Sequence, residues 1–411
     1  MTYPLLSGLR VVEAASFVAA PSCALYLLQM GAEVIRLDPV GGGPDFNRWP
    51  RAPQGPSLYW EGLNKGKKSI AVDIGKPEGR ELAQRLAAAP GEGGGLFVTN
   101  YPVEGFLSHA KLAALRADLI SLRVMGWPDG RPAVDYTVNS ALGVPLMTGP
   151  ASLGEAPVNH VLPAWDLLTG AYGAFALLAA ERRRRQTGQG QEIRLPLADV
   201  ALTTLGNLGQ IAEVMVNGDR PRMGNDLYGA FGRDFATKDG QRLMIVAISG
   251  RQWTGLVEAL GLGEAVNALE AELGVSFARD EGVRFTWRER LNPLVEAAVK
   301  TRATAELAPV FDRLGVCWGP YHTVKEGLAD PRVVAPDTPV LNTVTHPSGY
   351  SYPTTGPAAD LAGQTRGTPL RAPRLGEHTD EVLAEVLGLS SGEIGRLHDQ
   401  GLVASDKALA G

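Results

Sequence analysis

Over the first 125 residues, short apolar runs of strand length alternate with stretches of helical length, and no other feature limits the fold so strongly. Leu9 to Val12 reads as a strand. Pro21 to Met30 follows as a helix, with Pro21 suited to a first turn and Gly31 to a stop. Val34 to Leu37, Ser69 to Ile74, Leu96 to Thr99 and Leu119 to Val124 repeat the strand pattern, and Pro77 to Ala88 the helical one. Parallel strands need crossover connections, and helices supply them, so this rhythm predicts a parallel sheet with helices on both faces.

The pattern changes after residue 125. Trp127 to Pro163 is rich in turn residues, and a long apolar helix is expected from Ala164 to Arg185. Gly170, Ala171 and Gly173 in that helix suit close packing against a neighbour. Asn217 to Asn225 reads as a linker. Beyond it lie a turn at Lys238-Asp239-Gly240, a strand from Leu243 to Ile248, a helix from Trp253 to Leu260 and further helices to about Leu314. Residues 331–373, rich in Pro, Gly and Thr, read as extended, and Thr379 to Val403 as helical.

Several functions are disfavoured. The net charge of -5 gives the whole molecule no pull toward nucleic acid or an anionic membrane. The most apolar stretch, Ala171 to Ala180, is about half of what a bilayer requires. No basic segment precedes a long apolar one at the start, and Cys23 and Cys317 are too few for a disulfide framework, so a cytoplasmic protein with free thiols is expected. Asp38 ends the second strand, where an acidic residue can hold a ribose, but the first strand–helix turn runs Glu13-Ala-Ala-Ser-Phe17-Val-Ala-Ala-Pro21 without the glycines of a dinucleotide site. The six histidines form no metal-ligand spacing, so no metal is expected.

Asp166 is the carboxylate that draws interest, because it falls in the first turn of the long helix, beside Trp165. A first-turn Asp serves commonly as a cap or dipole partner. The same place suits a nucleophile, since a helix N-terminus favours the ionised form and an adjacent aromatic restricts water. Arg182 to Arg185, at the other end, either complement the helix C-terminus or attract phosphates.

The motifs, taken in order, carry a resemblance. Leu6-Ser-Gly-Leu-Arg-Val-Val-Glu13, Gly31-Ala-Glu-Val-Ile-Arg-Leu-Asp38, Asn64-Lys-Gly-Lys-Lys-Ser-Ile70, Phe97-Val-Thr-Asn100-Tyr101, Asp166 with Thr169-Gly170, and Leu375-Gly-Glu-His-Thr-Asp-Glu-Val-Leu383 resemble the successive blocks of the class III CoA-transferases. The resemblance implies an α/β fold: a large Rossmann-like domain with a parallel sheet over 1–217, a smaller α/β domain over 226–330, and a segment over 331–411 that returns to the large domain. It also implies an interlocked homodimer, an acyl-CoA substrate, and no separate cofactor, CoA being carried by the substrate. Asp166 would attack the thioester. Phe17, Pro39, Val72, Asn100 and Tyr101 lie where the family holds CoA. Arg48, Arg51 and Arg233 are candidates to hold a free carboxylate, and Gly143 and Gly229 to Gly232 to donate to oxyanions.

Two departures narrow the reading. The intermolecular formyl and oxalate transferases carry a contiguous glycine run in the second domain, whereas here the region reads Tyr228-Gly-Ala-Phe-Gly232. Racemases of the superfamily place a histidine where Val134 stands, ahead of Asp135. Phe17-Val-Ala-Ala-Pro21, Asn159-His-Val-Leu-Pro-Ala-Trp-Asp166 and Leu227-Tyr-Gly-Ala-Phe-Gly-Arg-Asp-Phe235 resemble a branch of the family, and that resemblance implies transfer of CoA between the two carboxyls of one methyl-branched unsaturated dicarboxylate. An intermolecular transferase and a non-catalytic CoA-binding protein of the same fold are the alternatives.

Overall fold

The computed structural model describes residues 3–53, 55–335 and 340–406. The chain opens with β1 (Arg10–Ala14), α1 (Ala19–Gln29), β2 (Glu33–Pro39), α2 (Leu58–Asn64), β3 (Lys68–Val72), α3 (Pro77–Ala87), β4 (Leu96–Thr99), α4 (His109–Leu115), β5 (Ile120–Met125) and α5 (Asp135–Ala141). It continues through α6 (Val144–Met147), α7 (Ala164–Thr187), β6 (Gln191–Pro196), α8 (Leu197–Asn207) and α9 (Gln210–Asn217). Then come β7 (Phe231–Ala236), β8 (Arg242–Ala247), α10 (Gly250–Leu260), α11 (Gly263–Leu273), α12 (Glu281–Thr286), α13 (Arg288–Lys300), α14 (Thr304–Leu314), β9 (Cys317–Pro320) and α15 (Val324–Ala329). A hairpin of β10 (Leu341–Thr345) and β11 (Ser351–Thr355) precedes α16 (Thr379–Leu387), α17 (Ser391–Asp399) and β12 (Val403–Ala404).

The chain divides into two compact units. The first comprises residues 1–142, 160–215 and 338–411. Its seven-stranded sheet has the order β12-β3-β2-β1-β4-β5-β6, parallel throughout except for β12, which runs antiparallel to β3. Val11, Val12, Ile35, Leu37, Ile70, Val72, Phe97, Val98 and Leu122 are buried, as strands covered on both faces require. That double covering is why β1 to β5 were legible as continuous apolar runs. The edge strand β6 is polar and mostly half-exposed, and the sequence reading missed it.

α7 fills one face of this sheet against α1. A Cβ at Gly170 would come within 2.8 Å of Ser22 Cβ and 2.9 Å of the Ala19 carbonyl, and one at Gly173 within 3.4 Å of Cys23 Sγ. The small residues thus let two helices approach closely, as expected. The turn-rich stretch from Trp127 to Pro163 contains α5 and α6, both too short to display a helical period. Residues 331–373 are not wholly extended: they hold the β10–β11 hairpin.

The second unit comprises residues 143–159 and 216–337. β7, β8 and β9 form an antiparallel sheet, and Phe231, Phe235, Trp253, Phe277, Leu291 and Phe311 form its own core with α10 to α14. Residues 143–159 join this unit because Arg222 donates to the carbonyls of Thr148, Gly154 and Ala156, and the Gly224 amide to Gly149. Among the described residues, no helix is long and apolar enough to cross a membrane.

Candidate active site

In an open parallel sheet, a crevice forms outside the carboxyl ends of the strands where the order reverses. Here the reversal lies between β1 and β4: β2 and β3 are added on one side of β1, and β4, β5 and β6 on the other. Residues 16–19 follow β1 and residues 100–103 follow β4, and both loops line a cavity of about 800 Å³. Asn100 ties them together. Its Oδ1 accepts from the Ser16 amide at 3.2 Å, and its Nδ2 donates to the Ser16 carbonyl at 2.9 Å.

Phe17 takes a conformation that few non-glycine residues adopt, with φ of 71°. Left-handed backbone at a bulky residue costs about 1–2 kcal/mol and must be held by its surroundings. The Phe17 amide donates to Asp45 Oδ2 at 3.0 Å, and the Arg48 guanidinium lies 5.3 Å from the ring centroid. Asp45 is fixed in turn by Arg36 at 2.9 Å. Arg36, fully buried on β2, also binds Glu13 and Asp38, and Lys67 binds Glu13 at 2.6 Å. The strand ends, the Phe17 turn and the cavity wall therefore rest on one buried ionic network.

Asp166 lines the cavity, half-buried, in the first turn of α7. The sequence reading expected the helix N-terminus to favour its ionised form. The geometry overturns that. The N-cap residue of α7 is Pro163, which offers no side-chain acceptor, and Asp135 of α5 supplies one instead. Asp135 Oδ2 accepts from the amides of Trp165 at 2.7 Å and Asp166 at 3.2 Å. Burial, then the like charge of Asp135, push the Asp166 carboxyl up to about 7, with Arg48 opposing them. A carboxylate kept this basic is a stronger nucleophile than an exposed one.

Of the anticipated residues, Asp166, Phe17, Arg48, Asn100 and Tyr101 meet at this cavity. Pro39 and Val72 sit side by side at the carboxyl ends of β2 and β3 but outside the cavity lining, with Val72 fully buried in the core. Arg51 is exposed and also lies outside the lining. Arg233, Gly143 and Gly229 to Gly232 belong to the second unit, where Arg233 reaches toward Asp226 at 3.5 Å. Arg182 to Arg185 end the α7 helix some 16 or more residues from Asp166, roughly 24 Å along its axis. There Arg184 donates to the Gly94 carbonyl, Arg183 to the Gln191 side chain, and Arg185 pairs with Glu181.

The sequence reading missed four residues. Asp135 and Asn139 stand four apart on α5, and both reach Trp165, Asp135 at its amide and Asn139 at its indole nitrogen, 3.1 Å away. Their helical spacing was a signal, but only a known partner gives it meaning. His160 lies 2.8 Å from Asp135 through Nε2. Tyr59 lines the cavity with its ring 5.4 Å from the Arg48 guanidinium. Its hydroxyl is buried without a hydrogen-bond partner among the described residues. Burial, opposed by Arg48 and aided by Asp166, raises it to about 12, so the phenol keeps its proton.

A family model for CoA-transferase family III matches residues 6–379. The chain belongs to that family. Within it, the chain is 52% identical over 402 residues to the 2-methylfumaryl-CoA isomerase of Chloroflexus aurantiacus, covering 97% of this chain and 98% of that protein. It is 28% identical to the succinyl-CoA–D-citramalate CoA-transferase of the same organism, with 95% and 96% covered. Among solved structures, a CAIB/BAIF family protein from Brucella suis matches with a TM-score of 0.74 at 26% identity, over 94% of this chain and 100% of that one. These family matches span both units.

Proposed function

We propose that this family III enzyme moves CoA within one molecule, converting 2-methylfumaryl-CoA to 3-methylfumaryl-CoA, with Asp166 as nucleophile. The observation that carries the reading is the 52% identity over nearly the whole of both chains to an enzyme of that name. The cavity supports it: one basic carboxylate, Asp166, stands among largely apolar walls.

The Asp166 carboxylate attacks the C1 thioester carbonyl, and the tetrahedral intermediate expels CoA thiolate to leave a mixed anhydride. The thiolate then attacks the aspartyl carbonyl of that anhydride. Free 2-methylfumarate leaves as a carboxylate, and CoA is held as an aspartyl thioester. The dicarboxylate presents its C4 carboxylate, and the same two steps run in reverse. No proton is consumed, and each step exchanges one activated acyl group for another.

Both activated species are open to hydrolysis, which Trp165, Phe17 and Val134 around the site would limit. Arg48, in the cavity lining, would hold the spectator carboxylate, and the protonated Tyr59 hydroxyl could donate to it or to an oxyanion. Phe17, Asn100 and Tyr101 line the cavity where CoA would enter. A homodimer would cover the apolar side chains exposed on α7, at the end of α8 and on α9, among them Leu168, Tyr172, Phe175, Leu208 and Met215. The free thiols of Cys23 and Cys317 fit a cytoplasmic setting.

Turnover of unlabelled 2-methylfumaryl-CoA in excess carbon-13 2-methylfumarate tests the intramolecular step. The 3-methylfumaryl-CoA formed should stay almost wholly unlabelled over many turnovers. Label entering product in proportion to the free pool would instead mean an open transferase acting between two molecules.

A further inference from the structure

α5 and the first turn of α7 are joined by contacts that thioester exchange does not itself require. Asp135, 1% exposed, takes two α7 amides on one oxygen and His160 on the other. Asn139, one turn further along α5 and fully buried, takes the Trp165 indole. The His160 ring packs edge-on against Tyr136 at 5.9 Å and lies 6.4 Å from Trp165, so it is held from two sides.

The first amides of a helix lack internal partners and carry the positive end of its dipole. Whichever carboxylate accepts them is stabilised in its ionised form. In α7, Asp135 accepts them and Asp166 does not, although Asp166 is the nearer in sequence. Asp166 is left with a like charge beside it. The charged or titratable groups that act on it are Asp135 from α5, Arg48 from the segment ahead of α2, and Tyr59 of α2, while Asp135 has the His160 imidazole as its own hydrogen-bonded neighbour.

We propose that Asp135, held by His160, is a positioning residue for the transfer: it occupies the amide donors that would otherwise stabilise the Asp166 carboxylate, and so preserves that carboxylate's nucleophilicity. The inference rests on Asp166 being the nucleophile. Asp135 touches neither CoA nor the reacting carbonyl in this scheme. It acts through Asp166.

The test is the pH dependence of kcat/KM for Asp135→Asn, His160→Ala and His160→Gln, with Asp166→Asn as control. Asp135→Asn removes the like charge, so its acid limb should move down by about one pH unit while the plateau falls roughly tenfold. His160→Ala should lose plateau rate, and His160→Gln, which keeps a donor for Asp135, should recover most of it. An Asp135→Asn profile that loses rate without moving on the pH axis would overturn the inference, as would a His160→Ala enzyme that matches wild type. Should Asp135→Asn fail to fold, Asp135→Ser, which retains an oxygen acceptor without the charge, carries the same expectation. If Asp166→Asn itself turns over, the reading of the site fails. If Asp166→Asn is dead and the Asp135→Asn profile is unmoved, only the present inference fails.

Discussion

Two sets of buried carboxylates lie in the first unit, and they are treated differently. Around Arg36, the carboxylates of Glu13, Asp38 and Asp45 meet two cations, Arg36 and Lys67, at 2.6–3.2 Å. Around Asp166, two carboxylates stand together, and among the described residues neither forms an ion pair with a lysine or arginine. Asp135 has His160, and Asp166 has only the longer reach of Arg48. The first set is compensated and fixes architecture: it anchors the strand ends and the Phe17 turn. The second is left short of positive charge, and it holds the carboxylate proposed as nucleophile. Breaking a compensated set should cost stability, and relieving an uncompensated one should restore some.

The largest effect should come from Arg36→Met. It leaves three buried carboxylates around Lys67 alone, and burial already raises Asp38 against the pull of Arg36. Removing one partner of a buried ionic group costs about 3–5 kcal/mol. Urea unfolding should show a loss of that order, and a wild-type midpoint would mean the network is dispensable.

Asp166→Asn should act in the opposite sense on stability. The folded protein raises this carboxyl from its ordinary value to about 7. The wild type therefore has the full benefit below the unfolded carboxyl's titration and loses it as pH rises through about 7. The variant does not titrate there, so its advantage should grow between about pH 4 and 7 and level off above, at roughly 2 kcal/mol after allowing for partial exposure. Thermal melts at pH 5 and pH 8 measure the difference. An equal gap at both would show that the carboxyl is not perturbed.

Arg48→Gln should have the smallest effect. Arg48 lowers the Asp166 carboxyl, so removing it should move the acid limb of kcat/KM upward, by less than about one pH unit. A downward shift would contradict the arrangement of charges described here.

The comparison also explains what the sequence could reveal. Strands buried on both faces are legible as apolar runs, and β1 to β5 fell within two residues of expectation. Asp166 was legible because a helix start and a family motif coincide on it. Its electrostatics were not. The expectation that the helix end would favour its charge assumed that Asp166 accepts the α7 amides, and it could not anticipate that Asp135, 31 residues earlier, takes them. Glu13, Arg36, Asp45 and Lys67 likewise read as ordinary strand and loop charges, and Asp38 as a candidate ribose partner, until the sheet order brings β1, β2 and β3 side by side. Tyr59 carried no signal at all, since an aromatic on a short helix is most often core.

If CoA passes through Asp166, it can be captured there. Enzyme mixed with 2-methylfumaryl-CoA and quenched within one turnover should be digested and the peptides weighed. CoA should be attached through a thioester to the peptide containing Asp166, with none in Asp166→Asn. Product formed at the normal rate with no such adduct, or with CoA carried on another carboxylate, would contradict it.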